Sequence, residues 1–237
     1  MAEKLRVLGI GCHPDDLEIL CGGTLARYAT AGHTVFMAAV ANGDKGHYEI
    51  PSEELARIRQ REMEESAAVI GARAIWVGLP DGAVYSDHPS LCKVIDAVRE
   101  ARPDVVITHA PNDYFGDHTE TSQLACNASF LAAAPLFKTE RPACKSIPPV
   151  YFTDTDMGIG FDPQHYVDIT ETIETKLEML SKHQSQLVWL RDHDGVDILE
   201  NVRAVARFRG LQCGVKYAEA FRTHNVWGRL TTRRLLP

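Results

Sequence analysis

Four short apolar runs, each followed by a helix-length stretch, constrain this chain more than any other feature. The runs are residues 6–12, 34–40, 74–79 and 104–109. Helical signals fill residues 17–30, 52–70, 89–101 and 118–133, with Gly32 and Gly71 placed to stop the first two. Strands spaced by helices of about ten or more residues run parallel and are joined by right-handed crossovers. This pattern predicts an α/β core over residues 1–135. After a proline-bearing stretch at 135–149, residues 150–154 and 166–169 read as strands, and 170–183 and 197–209 as helices. No flexible linker separates this second part, so residues 136–237 are expected to form an α+β cap on the same domain, 1–237.

A chain of 237 residues buries enough apolar surface to fold without disulfides or a structural metal. Its 25 basic and 32 acidic residues leave a net charge of −7, which repels phosphate backbones and argues against a nucleic-acid partner. No apolar run reaches the roughly eighteen residues that a membrane helix needs, so no membrane partner is expected. Residues 1–6 lead straight into a strand, without the pattern of a secretory leader. The six cysteines are scattered with no CxxC pair, which suits reduced thiols and a cytoplasmic location.

In open parallel sheets, ligands bind beyond the carboxyl ends of the strands. Four polar loops lie there: His13-Pro-Asp-Asp16, Asn42-Gly-Asp-Lys-Gly46, Pro80-Asp-Gly82 and His109 through His118. They hold the densest concentration of His and Asp in the chain. The first loop has two readings. Its aspartates suit a turn and a helix N-cap. His13 and Asp16 equally suit two metal ligands, with His118 as the third. Two imidazoles and a carboxylate leave an open position for water, which is the catalytic zinc pattern. The second histidine-bearing loop favours metal. Asp15 would then be a carboxylate beside the metal, where a general base belongs. A dinucleotide site fits poorly, because Pro14 takes the last glycine position of GxGxxG and no acidic residue ends the second strand.

His13-Pro-Asp-Asp16, Gly22-Gly23 and the pair Asp117-His118 together resemble the PIG-L/LmbE family of zinc-dependent N-deacetylases, over roughly the whole chain. Arg59-Gln-Arg-Glu62, Leu79-Pro-Asp-Gly82, His183-Gln-Ser-Gln186 and Ala218-Glu-Ala-Phe-Arg222 are also similar to family segments. The resemblance implies a Rossmann-like, mostly parallel sheet with helices on both faces and a C-terminal α+β cap. It implies Zn2+, or another divalent metal such as Fe2+, on His13, Asp16 and His118, with Asp15 as general base. Arg59 and Asp81 match positions that grip sugar hydroxyls. The implied activity is removal of an N-acetyl group from a small N-acetylglucosamine-type compound. The family also suggests homo-oligomers such as trimers or hexamers.

One position departs from the pattern. The family's second motif commonly reads His-Pro-Asp-His, whereas this chain has Phe115-Gly-Asp-His118. The missing histidine is associated with the oxyanion or the leaving amine. Tyr114, His193, His224 or a neighbouring subunit's histidine would have to replace it, and Tyr114 and His193 are carried forward as catalytic candidates. Hydrolysis of an ester or N-formyl bond, or sugar binding with weak turnover, are the alternatives. His109 reads as a hydrogen-bonded strand-end histidine, His47 and Glu49 as loop residues beside the site. Trp189, within Leu187-Val-Trp-Leu190, reads as core.

Overall fold

A computed structural model describes residues 4–237. The elements run β1 Arg6–Gly11, α1 Asp16–Thr30, β2 Thr34–Ala41, α2 Ser52–Val69, β3 Arg73–Leu79, α3 His88–Ala101, β4 Val105–Thr108 and α4 Gly116–Leu131. They continue with β5 Val150–Thr153, β6 His165–Asp168, α5 Ile173–Leu180, α6 Gln184–Asp192, α7 Ile198–Cys213 and β7 Ala218–Thr223. One sheet holds the strands in the order β3-β2-β1-β4-β5-β7-β6. The first five strands are parallel, and β7 pairs antiparallel with both β5 and β6. The C-terminal α+β part therefore shares the sheet with the core.

The apolar runs are continuous because the sheet is covered on both faces. Leu8, Ile10, Phe36, Ala38 and Val106 face one core with α3 and α4. Val7, Val35, Met37, Val105 and Ile107 face the other, with α1, α2, α5 and α7. On that second face β1 carries Gly9 and Gly11, where an added Cβ would meet Leu17 at 3.1 Å. The two glycines let α1 lie close against β1, and so set the tight turn between them.

Helix α1 is broken within its length. Cys21 has φ −146° and ψ 15°, outside the helical region. The backbone N–H groups freed there, on Gly23 and Thr24, donate to Glu219 of β7 at 2.9 and 2.7 Å. A Cβ on Gly23 would lie 2.8 Å from Ile169, so the chain after β6 passes only because that side chain is absent. The glycine pair is thus a packing device beneath the site.

Two elements lack a sequence expectation. The helix expected over 170–183 ends at Leu180, and α6 begins afresh at Gln184 after the turn at His183. Strand β7 lies in a stretch with too little apolar alternation to read as one. Sheet order reverses between β1 and β4, so the crevice beyond their carboxyl ends lies at the switch point.

Candidate metal centre

The turn after β1 is built around Asp16. Its Oδ2 accepts the backbone N–H of His13 at 2.6 Å, which folds the loop back on itself. Three imidazoles surround that oxygen. His13 Nδ1 and His118 Nε2 each lie 3.5 Å from it, and His109 Nε2 lies 3.1 Å away. Asp16 is common to two groups with ligand atoms within 4.8 Å of one another: Cys12, His13 and Asp16, and Asp16, His109 and His118.

The donor set suits a cation. The other nitrogen of each flanking imidazole faces a carboxylate: His13 Nε2 lies 3.7 Å from Asp117, and His118 Nδ1 lies 3.2 Å from Asp113. Carboxylates behind ligating histidines fix the tautomer and raise ligand basicity. His109 plays a different part. Its Nε2 accepts the Cys12 N–H at 2.9 Å, which puts the proton on Nδ1, an atom without a protein partner. Burial lowers the His109 pKa, which keeps this ring neutral. The same Nε2 lies 3.1 Å from Asp16 Oδ2 with no proton of its own to give, which leaves that carboxylate oxygen open to a cation. His109 is thus the hydrogen-bonded strand-end histidine expected, stacked on His118 with ring centroids 4.0 Å apart.

Without a cation the carboxylates hold protons on the two flanking imidazoles instead. Burial disfavours charge on His118, yet Asp16 and Asp113 outweigh it and push the pKa up to about 11. His13 is likewise raised, by Asp117 and Asp16 against burial. Asp16 is held well below the usual carboxylate range, chiefly because the charged His118 outweighs its burial.

Asp15 follows a different logic. It is not a helix cap through its side chain, and its φ of 153° is rare for a residue with a Cβ. Its Oδ2 lies 3.0 Å from Arg59 Nη2, which also donates to the Pro14 carbonyl at 2.9 Å. Burial raises the Asp15 pKa despite Arg59. Arg59 therefore clamps the turn from α2, passing where a Cβ on Gly43 would collide with it. Its Nε has no protein partner.

One helical turn on from Arg59, Glu62 accepts the N–H and hydroxyl of Ser185 at 2.8 and 2.6 Å, tying α6 to α2. His183 lies 3.1 Å from Glu18, and Gln186 Nε2 donates to Gly46 at 2.8 Å. The segment His183-Gln-Ser-Gln186 is thus a set of ties that hang α6 over the site. Asp81 is also committed to structure: its carboxylate accepts from the N–H groups of Gly43 and Lys45 at 2.8 and 3.2 Å.

These groups line a cleft of about 490 Å3, with His13, Asp15, Asp16, Arg59, Asp81, Phe115 and His118 on its wall. Trp189 lines it as well, half-buried, where the sequence placed it in the core. Its neighbours in α6 are amphipathic only locally, and only the ties to Glu62 and Gly46 turn it to the cleft. Tyr114 is half-exposed beside Phe115, and His193 stacks on Trp189 at 4.0 Å. Asp156, unseen in the sequence reading, lies on the same wall, just beyond β5. Its Oδ1 is buried without a partner, and burial followed by Asp16 pushes its pKa up to about 7. Its place after a parallel strand was the available signal.

A family model described as PIG-L, GlcNAc-PI de-N-acetylase, matches residues 8–129. The diacetylchitobiose deacetylase of Thermococcus kodakarensis is 28% identical over 92% of this chain and 82% of its own. The structure of a conserved protein from Thermus thermophilus superposes with a TM-score of 0.80 at 29% identity, over 96% and 97% of the two chains. A 4-carboxy-2-hydroxymuconate hydratase from Pseudomonas putida also reaches 0.80, over 96% and 98%, but at 23% identity this likeness concerns the fold alone.

Proposed function

The chain belongs to the PIG-L family, and from that membership we propose that it is a metal-dependent amide hydrolase removing the N-acetyl group of a small N-acetylglucosamine-type conjugate. One observation carries the reading: two carboxylate-backed imidazoles converge on Asp16, with the buried Asp15 beside them. The deacetylase from Thermococcus kodakarensis supports the substrate class. Zinc, or another divalent ion such as Fe2+, would be held by His13, Asp16 and His118, where it would polarise the acetyl carbonyl and lower the pKa of the attacking water.

The chain's own groups divide the remaining tasks. Asp15 takes the proton of the attacking water, and its raised pKa makes it a stronger base than a solvated carboxylate. Arg59 keeps Asp15 in place, and where its guanidinium lines the cleft it is the proposed grip on a sugar hydroxyl. Asp81 shapes the loop carrying Gly43 and Lys45 along the cleft. When the C–N bond breaks, the amine nitrogen needs a proton. Asp156 is the group assigned to deliver it, since Phe115 has no proton to give and His193 stands against Trp189. Tyr114, half-exposed and pushed up to about 12 by burial and by Asp156, stays protonated and is the neutral donor proposed for the oxyanion. A reducing cytoplasm belongs to the same proposal, supported by six free cysteines.

The test is acetate release from N-acetylglucosamine, N,N'-diacetylchitobiose and an aryl N-acetylglucosaminide. Asp15→Asn should cut turnover by about a hundred- to ten-thousand-fold. Unchanged hydrolysis in that variant sinks the mechanism. Cleavage of an O-acetyl or N-formyl analogue, with the N-acetyl compounds untouched, would move the reaction to those bonds. Binding without any release would leave a sugar-binding protein.

A further inference from the structure

The mouth of the cleft carries a cluster of rings that the proposed chemistry does not use. His47 and Tyr48 come from the loop between β2 and α2, Trp189 from α6 and His193 from its C-terminal end. His47 stacks on Tyr48 with centroids 4.7 Å apart and planes 11° apart. Trp189 stacks on His193 at 4.0 Å and 15°. Tyr48 lies 5.6 Å from Trp189, with planes only 28° apart. Four rings from two segments therefore form a run of stacked neighbours, with a tilt of 37° between His47 and Trp189.

This cluster is built. Gln186 ties α6 to Gly46, and the His47 ring accepts the N–H groups of Glu49 and Ile50, both at 3.1 Å. The flanking charges are already paired inside the protein. Lys45 meets Asp44 at 2.7 Å, and Asp194 meets His193 at 2.7 Å. What remains at the rim is flat apolar ring surface: Tyr48 is 47% exposed, and Trp189 lines the same cleft as Asp15 and Asp16. Exposed aromatic surface next to a polar cleft is a recognition feature when it is rigid, because few rotamers are lost on stacking. A cleft of about 490 Å3 is within the range that encloses a ligand of two rings.

We propose that Tyr48 and Trp189, braced by His47 and His193, form a stacking subsite for an uncharged second ring attached to the acetylated sugar. The shared chemistry is a flat apolar ring face, offered by a second pyranose or by an aryl group. This rests on the deacetylase reading: the second ring is the aglycone, held at the mouth while the acetamide sits near Asp15. The substrate preferred by this chain is then a two-ring conjugate and not a free amino sugar.

The experiment compares kcat/KM for N,N'-diacetylchitobiose and for an aryl N-acetylglucosaminide with that for N-acetylglucosamine. Wild type should favour the two-ring compounds. Trp189→Ala and Tyr48→Ala should each shrink that preference, up to about tenfold for the tryptophan, mainly through KM. Trp189→Phe should keep most of it. The pyranose and aryl arms show which kind of ring is taken. An equal loss on one-ring and two-ring substrates would make the rings structural and overturn the subsite, as would an unchanged preference. If wild type releases acetate from none of them, the hydrolase reading has failed. Calorimetry of the same ligands then decides the subsite alone: tighter two-ring binding lost in Trp189→Ala supports it, and equal binding overturns it.

Discussion

Asp15 holds φ 153° and ψ −23°, a conformation that costs a residue with a Cβ about 1–3 kcal/mol. It persists because Arg59 grips both its carboxylate and the carbonyl of Pro14. The strain turns two adjacent aspartates in different directions, one into the ring of histidines and one toward the clamp. Asp156 offers a separate test at this scale. Burial and Asp16 push its carboxyl up to about 7, against about 4 for a solvated aspartate. A raised folded-state pKa contributes stability that is present below the unfolded value and lost as pH rises through the folded one. In metal-free protein the contribution of this carboxyl should therefore fade between about pH 4 and 7, and Asp156→Asn should remove that part of the pH dependence. Urea midpoints for both proteins at acid and neutral pH check it; parallel declines would remove Asp156 as the titrating group.

At the scale of elements, β7 does more than close the sheet. Glu219 accepts from the broken segment of α1 and pairs with Lys176 of α5 at 2.5 Å, and Lys176 also donates to the Ile19 carbonyl at 2.8 Å. Three elements meet in one buried ion pair beneath the candidate metal centre. Removing one partner leaves the other charge buried alone, which costs about 3–5 kcal/mol. Glu219→Ala should lose stability on that scale in denaturant unfolding, whereas replacing Glu174, the exposed partner of Arg203, should change it little. Comparable losses in the two would show that the buried pair is not a brace. Helix α6 is the converse case: it has few buried residues and hangs by Ser185 and Gln186. A change to its cleft-lining ring should therefore disturb the rest of the fold little.

For the whole molecule, the metal is expected to serve chemistry and not folding. Two hydrophobic cores flank the sheet, and neither depends on the ligand set. A chelator should abolish hydrolysis and leave the far-ultraviolet circular dichroism intact. Adding metal back should raise the unfolding temperature with metal concentration, as binding to the native state alone requires. Loss of helical signal on chelation would overturn this. No helix among the described residues is long and apolar enough to cross a membrane. The parallel core and its cleft edge were legible from periodicity, because strands covered on both faces must be apolar throughout. Strand β7 and helix α6 were not, since their positions depend on single ties such as Glu219 to Gly23 and Glu62 to Ser185.

The sequence by itself determined which residue types meet at the sheet edge. His13, Asp15, Asp16 and His118 follow β1 and β4, and the parallel order brings those ends together. Only the tertiary structure decided the roles of the others. Arg59 became the clamp on Asp15, Asp113 and Asp117 the backing of two imidazoles, and Asp156 the unpartnered acid across the cleft. Trp189 left the core for the cleft wall. Periodicity reports which face of an element is buried, but a hydrogen-bond partner dozens of residues away is set by how elements pack, and no local pattern encodes it.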